Sequence, residues 1–135
     1  MKQTYQVKPI GVIRSPYKNL REAPRQGKLC ETLCEIEVYP EYMEGLEGIE
    51  AYRHLIILYW MHRSQRDKVK ARPPNAEGER GVFSTRSPDR PNPIGLCLTE
   101  LVAVEENRLK VRWLDALDGS PLLDMKPYRA EIDSP

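Results

Sequence analysis

The chain has 135 residues, of which 30% are charged and 40% hydrophobic, and these proportions predict one soluble domain over residues 1–135. A formal net charge of +1 excludes any argument for nucleic-acid binding from total charge alone. The N-terminus lacks a secretory pattern, the cysteines are few, and the longest apolar run is only Leu55–Met61. We therefore expect a reduced, cytoplasmic protein without a membrane segment.

The predicted elements are strands joined by polar loops. Val7–Ile13 comes first, and Leu33–Tyr39 follows with apolar and acidic residues alternating up to Pro40, as in a half-buried strand. Two glycines within Glu41–Glu50 limit any helix there to one or two turns. Leu55–Met61 is short, continuous and apolar, which predicts a central strand buried on both faces.

Two more strands are predicted in the second half. Ile94–Val104 and Leu109–Leu114 are separated by polar residues that favour a hairpin connection. No segment has a sustained helical period, and short antiparallel strands must protect their edges. We therefore expect an all-β fold, a small antiparallel β-barrel with long loops and little helix. The predicted functional loops are Arg21–Lys28, His62–Arg80, Arg86–Asn92 and Asp115–Asp124.

Charge is distributed unevenly along the chain. Residues 1–28 carry seven Lys or Arg against one acid, and residues 62–95 carry eight against four. The intervening residues 29–61 carry seven Glu against one base. The two basic segments form one basic face only if the fold brings them together; otherwise each is a solvated edge.

The segment Gly81–Gly95, GVFSTRSPDRPNPIG, contains two arginines and three prolines. Each proline fixes its own φ at about −65° and excludes the preceding residue from the helical region, so the segment is a stiff, extended loop. Stiffness suits an arginine that must bind a carboxylate or a phosphate through two of its guanidinium nitrogens at once. It equally suits a surface loop that simply stays ordered.

Three other segments offer polar side chains. His62 follows the apolar run where the strand leaves the core, although a structural hydrogen bond explains it equally. Asp118 and Gly119 form a turn signal, and the acid binds a ribose or ammonium group or else serves its own turn. Together with Arg25, these groups would suit a zwitterionic ligand that carries a nucleoside.

The remaining special residues predict core positions. Cys34, Cys97, Trp60 and Trp113 have apolar neighbours and are expected in the core. Cys30 and Cys34 have no further Cys or His at metal-site spacing, so no metal is expected. The Gly-rich phosphate-binding motifs are absent from the sequence.

Four motifs, EAPRQG, LYWMHR, GVFSTRSPDRPNPIGL and LDALDGSPLLDMKPY, resemble the TsaA-like family, also called TrmO, in the same order over nearly the whole chain. The resemblance implies a homodimeric β-barrel that binds S-adenosyl-L-methionine outside any Rossmann fold. It implies methylation of N6 of threonylcarbamoyl-adenosine beside the anticodon of tRNA. The chain looks like the short, archaeal-type form without the bacterial C-terminal domain.

The same resemblance implies a set of site residues. The cofactor-binding positions would be Pro24, Arg25, Gln26, His62, Arg63, Arg86, Leu96, Leu117, Asp118, Gly119, Ser120 and Pro121. Arg63 stands where the family often has Gln, which leaves its role open, and Ser120 replaces Thr but keeps the hydroxyl. Arg86 is preferred over Arg90 for the cofactor, with Arg90 anchoring the loop or facing RNA.

Neither the sequence nor the resemblance identifies the group that takes the acceptor's proton. His62 and Asp118 are the catalytic candidates. Two other functions stay open: a non-enzymatic RNA-binding β-barrel, and an S-adenosylmethionine-binding regulatory module without RNA. Aromatic residues that lie mainly in apolar runs count against the first alternative, because an RNA-binding barrel usually has stacking aromatics on basic strands.

Overall fold

A computed structural model describes residues 2–19, 21–23, 31–74 and 77–135. The strands in the described chain are β1 Gly11–Arg14, β2 Cys34–Val38, β3 His54–Trp60, β4 Lys70–Ala71, β5 Arg80–Gly81, β6 Ile94–Glu105, β7 Arg108–Arg112 and β8 Pro121–Pro127. Among the described residues, the helices are three short 3-10 helices, Pro40–Leu46, Ile49–Ala51 and Val82–Ser84, and one α-helix, α1 Ala130–Asp133. The prediction of a β-rich fold with little helix is confirmed.

Six strands close into an antiparallel barrel in the order β1-β2-β7-β6-β3-β8, and β8 returns to pair with β1. The predicted barrel is therefore confirmed. Because the barrel is closed, each of these strands is paired on both sides, and none of the six leaves an unpaired edge exposed. The need to protect strand edges was the reason for predicting a barrel. The other two strands, β4 and β5, form a small ribbon inside the segment that was predicted to be a loop.

The core lies inside the barrel and is built from alternate residues of each strand. The fully buried aliphatic residues of this core cluster are Ile13, Ile36, Val38, Leu55, Ile57, Leu109, Val111, Leu114 and Leu122. The prediction that β3 is buried on both faces is wrong, because Ile56, Leu58 and Trp60 are only half-buried on its outer side. A barrel wall has one core face, so a continuous apolar run leaves half of its side chains outside.

Two boundaries also differ from the predictions. The first strand begins at Gly11 rather than Val7, and residues 121–124 begin β8 instead of continuing the predicted loop. Proline is tolerated as the first residue of a strand, so Pro121 can open β8. The hairpin between β6 and β7 is confirmed, with Glu105 opposite Arg108 across a tight turn.

The special residues divide between core and surface. Cys34 and Cys97 are buried, as predicted, and Cys30 lies outside the described residues. The prediction for the tryptophans is wrong, because both are half-buried at the outside of the barrel. Trp60 lies under the Arg66 guanidinium, 4.9 Å from the ring centroid, and Trp113 stacks on a histidine ring. Tyr59 and Leu114, which neighbour the two tryptophans in the sequence, are buried instead.

Candidate functional site

A cavity of about 960 Å³ lies where β3 ends and β8 begins. Three polar loops line it: the residues after β3, the arginine-containing loop before β6, and the connection from β7 to β8. Antiparallel pairing of β3 with β8 brings these loops to the same end of the barrel. Its volume lies within the range of small-molecule sites, about 300–1,000 Å³.

The arginine-containing loop is held in shape by one of its own arginines. Arg90 donates hydrogen bonds from Nη1 to the carbonyls of Thr85 and Ser87 at 3.1 and 3.0 Å. Its Nη2 donates to the Val82 carbonyl at 3.1 Å. Arg90 thus anchors the loop, while Arg86 is exposed and lines the cavity.

A carboxylate lies at the inner wall of the cavity. The Tyr59 hydroxyl donates to Asp115 Oδ1 at 2.5 Å, and the Cys97 thiol donates to the same oxygen at 3.0 Å. Burial, followed by the charges nearby, raises the pKa of Tyr59 well above its usual range. Burial and the Asp115 charge raise the pKa of the Cys97 thiol to about 12. Both groups therefore stay protonated at neutral pH and act as fixed donors.

This cluster depends on a glycine in the neighbouring strand. Gly95 of β6 lies directly opposite Tyr59 of β3, and the Tyr59 ring occupies the space that a side chain at Gly95 would take. The cluster was not predicted from the sequence, because Tyr59 and Cys97 were assigned to the core and Asp115 to a loop. The register between β3 and β6 was the missing information.

The connection between β7 and β8 contributes a tight turn. Leu117 and Ser120 line the cavity, and Ser120 Oγ donates to the Leu117 carbonyl at 2.6 Å. Gly119 has a φ of 84°, a conformation that strongly favours glycine. The predicted turn therefore delivers two of its residues to the site.

Asp118, in the same turn, faces a different direction. Its Oδ2 accepts a hydrogen bond from Lys18 Nζ at 2.8 Å, and its Oδ1 accepts one from the Ser15 amide at 3.0 Å. These bonds, led by that from Lys18, lower the pKa of the carboxyl. Asp118 lines a second, more open groove with Arg14 and Lys110.

The structure brings together five of the predicted positions at the cavity: His62, Arg63, Arg86, Leu117 and Ser120. Leu96 is not among the described residues that line the cavity, since it is 53% exposed on the outer face of β6. Pro24, Arg25 and Gln26 lie outside the described residues. Ala23, which directly precedes them, does line the cavity.

The rim carries an aromatic residue that the sequence analysis did not select. Phe83 is the only phenylalanine of the chain, is 83% exposed and lines the cavity. Its place within the proline-stiffened segment Gly81–Gly95 was the signal in the sequence that could have identified it.

Two features are absent from the part of the chain that the structure describes. It contains no group of three or more His, Cys, Asp or Glu side chains placed to hold a metal ion. It also contains no helix with the length and apolar character needed to cross a membrane.

A family model described as the tRNA-methyltransferase O N-terminal domain matches residues 12–134. The chain belongs to this family. The resemblance inferred from the four motifs is therefore confirmed. Nearly all of the barrel and every described residue at the cavity fall within the matched range.

Individual members of the family agree with this assignment. An S-adenosyl-L-methionine-binding protein of Archaeoglobus fulgidus is 58% identical over 94% of this chain and 91% of its own length. The human tRNA (adenine(37)-N6)-methyltransferase is 38% identical over 94% of this chain, which spans 31% of that enzyme. A crystal structure of TrmO from Pseudomonas aeruginosa superposes with a TM-score of 0.83 at 35% identity, and this chain spans 59% of it.

Proposed function

We propose that the protein transfers a methyl group from S-adenosyl-L-methionine to N6 of threonylcarbamoyl-adenosine beside the anticodon of tRNA. The family supports a methyltransferase that acts on tRNA, and the relatives' names support the cofactor and an adenine-N6 acceptor. The single observation that carries the proposal is the cavity that gathers His62, Arg63, Arg86, Leu117 and Ser120 from separate segments.

The cavity fits the cofactor in size and in chemistry. Guanidinium groups suit its carboxylate, hydroxyl and backbone groups suit its ribose, and apolar side chains such as Leu117 suit an adenine face. We propose that the binding positions are Pro24, Arg25, Gln26, His62, Arg63, Arg86, Leu96, Leu117, Asp118, Gly119, Ser120 and Pro121. When bound, the cofactor supplies an activated methyl group on a sulfonium.

The protein's own residues would act mainly by positioning. The loop fixed by Arg90 holds Arg86 at the cavity, so little ordering is needed when a ligand arrives. A methyl transfer gains most from holding the acceptor nitrogen in line with the methyl group, at roughly 3–3.5 Å. Rigid loops on a closed barrel suit that task.

Basic residues near the cavity support tRNA as the substrate. The two basic segments meet there, because Arg63 Nη1 donates to the Lys18 carbonyl at 2.8 Å. Arg72 and Arg86 line the same cavity and are exposed. Phosphate contacts by such residues would make binding weaken steeply with salt. Phe83 at the rim would stack on an unpaired base of the anticodon loop.

We also propose that the protein is a cytoplasmic homodimer. The outer face of β3 and β6 carries exposed Ile94 and Leu96 beside half-buried Leu58 and Trp60. A contiguous apolar patch of this kind favours a protein interface. Leu96 is a proposed binding position that does not line the cavity of its own protomer. If a second copy packs on this face, Leu96 would reach the cavity of the other protomer.

The test is incubation with threonylcarbamoylated tRNA and S-adenosyl-L-methionine, followed by nucleoside mass spectrometry. We expect one added methyl group on the modified adenosine, and none on the same tRNA prepared without the threonylcarbamoyl group. Binding of both ligands without methyl transfer would favour the non-enzymatic RNA-binding barrel. Cofactor binding without tRNA binding would favour the regulatory module.

A further inference from the structure

The proposed reaction needs a group that takes a proton from the acceptor nitrogen, which is urea-like and weakly nucleophilic. Among the described residues that line the cavity, Asp115 is the single carboxylate, and Arg63, Arg72 and Arg86 line it too. A carboxylate, which is able to accept a proton, therefore lies at the site itself.

The hydrogen bonds of Asp115 leave one of its oxygens available. Tyr59 and Cys97 both donate to Oδ1, and none of the described residues donates to Oδ2. Both donors are 5% exposed and remain protonated at neutral pH, so both act as fixed donors to Oδ1. The carboxylate is thus oriented through one oxygen and can receive a proton on the other.

The other two candidates fit this role less well. Both oxygens of Asp118 are engaged, one by the Lys18 ammonium and one by the Ser15 amide, and it lines the second groove instead of the cavity. His62 is exposed, whereas Asp115 is half-buried beside the buried Tyr59. A partly desolvated carboxylate suits a proton transfer that must exclude bulk water.

We propose that Asp115 is the catalytic residue that accepts the acceptor's proton, a role that rests on the proposed function. The acceptor nitrogen forms a bond to the methyl carbon as the sulfur–carbon bond breaks and its electron pair remains on sulfur. The N–H proton passes to Asp115 Oδ2, and the carboxylate becomes a neutral acid. The positive sulfonium and the negative carboxylate thus give two neutral groups, and the acid later releases its proton to water.

The experiment compares Asp115→Asn with the wild type. Asparagine keeps the shape and an oxygen that accepts from Tyr59 and Cys97, but it cannot accept the proton. We expect the single-turnover methylation rate to fall at least a hundredfold, in line with the usual contribution of a general base of about 10²–10⁴. We expect the affinity for S-adenosyl-L-methionine, measured by calorimetry, to stay within about threefold. Glu105→Gln, an exposed carboxylate-to-amide change in the β6–β7 hairpin, is the matched control.

A second variant separates proton transfer from structure. Asp115→Ala should be equally slow but should regain rate when formate is added, because a small carboxylate can occupy the vacated space. The rescued rate should rise with formate concentration in Asp115→Ala and stay constant in Asp115→Asn. Thermal melting of both variants shows whether they remain folded.

Several outcomes would overturn the proposal. A rate for Asp115→Asn within fivefold of the wild type would do so, as would a loss of cofactor affinity as large as the loss of rate, which would make Asp115 a cofactor ligand. Failure of formate to rescue a folded Asp115→Ala would also count against it. A wild type that binds cofactor and tRNA but transfers no methyl group would remove the proposed function, and Asp115's role with it.

Discussion

Replacing Gly95 with Ala should destabilise this barrel, although Gly→Ala at an unstrained position usually stabilises a protein by about 0.4–1 kcal/mol. A Cβ at Gly95 would lie 2.6 and 2.7 Å from the two Cε atoms of the Tyr59 ring. Carbon atoms in contact normally lie about 3.5–4.0 Å apart. The ring is buried and its hydroxyl is bonded to Asp115, so it cannot swing into solvent.

The magnitude follows from two contributions. Overpacking a filled core costs about 1–3 kcal/mol. If the ring shifts enough to break its bond to Asp115, a hydrogen bond to a charged group worth about 1.5–3 kcal/mol is lost as well. The entropic gain of the alanine offsets less than about 1 kcal/mol. The net loss is therefore about 0–3 kcal/mol if the bond survives and about 1.5–6 kcal/mol if it breaks. The second figure is a large part of the roughly 5–15 kcal/mol that stabilises most domains.

Urea unfolding followed by tryptophan fluorescence measures this change. Gly81→Ala is the control, because Gly81 has an ordinary extended conformation and a Cβ there would meet nothing within 4 Å. Gly81→Ala should be neutral or slightly stabilising. If Gly95→Ala proved as stable as Gly81→Ala, the argument that Tyr59 is held rigidly against β6 would be refuted.

Four further changes test the cavity, the loop that Arg90 holds, the dimer interface and the Lys18–Asp118 ion pair. Arg86→Ala should weaken S-adenosyl-L-methionine binding about 10- to 150-fold in calorimetry, because a hydrogen bond to a charged group is worth about 1.5–3 kcal/mol. The same change should not lower the free energy of unfolding. Arg90→Ala should lower both affinity and stability, because it removes the three bonds that hold the loop. Leu96→Lys should give a monomer by light scattering and lose cofactor affinity together with the dimer; a variant that stays dimeric would place the interface elsewhere. The lowered pKa of Asp118 means that its stabilising effect is complete above the ordinary carboxyl pKa of about 4 and is lost as the pH falls through its folded value. The stability difference between wild type and Asp118→Asn should therefore shrink between pH 7 and pH 3, and a constant difference would argue against the bond to Lys18.

The parts of the fold that follow from local pattern were predictable from the sequence. Alternation in β2 and β7 indicates their structures within a few residues. The segment Gly81–Gly95 was predicted to be an extended loop throughout, but Val82–Ser84, which precede its prolines, form a 3-10 helix. The inner and outer faces of β3 were not predictable, because a continuous apolar run looks the same whichever side faces the core. The direction of each indole depends on the same face assignment, which explains why Trp60 and Trp113 were misplaced.

The candidate site likewise has features that the sequence predicts and features that it does not. Arg86 and Arg90 are four residues apart in one loop, and nothing in their sequence spacing says which one binds its own loop and which faces the cavity. The structure assigns the first role to Arg90, because three carbonyls converge on its guanidinium. Asp115 and Asp118 are likewise three residues apart, yet one is held by two buried neutral donors and the other by an exposed lysine. These distinctions arise from long-range contacts, which a single sequence does not reveal.

The strand register links the stability of the barrel to its chemistry. Tyr59 lies opposite Gly95, and this pairing directs the Tyr59 hydroxyl toward Asp115 instead of toward a core neighbour. A buried hydroxyl and a buried thiol both require an acceptor, and they share a carboxylate that also faces the cavity. A shift of β3 by one residue against β6 would turn Tyr59 to the outer face and leave Asp115 without its tyrosine donor. The same pairing that closes the barrel therefore fixes the orientation of the group that we propose accepts the proton.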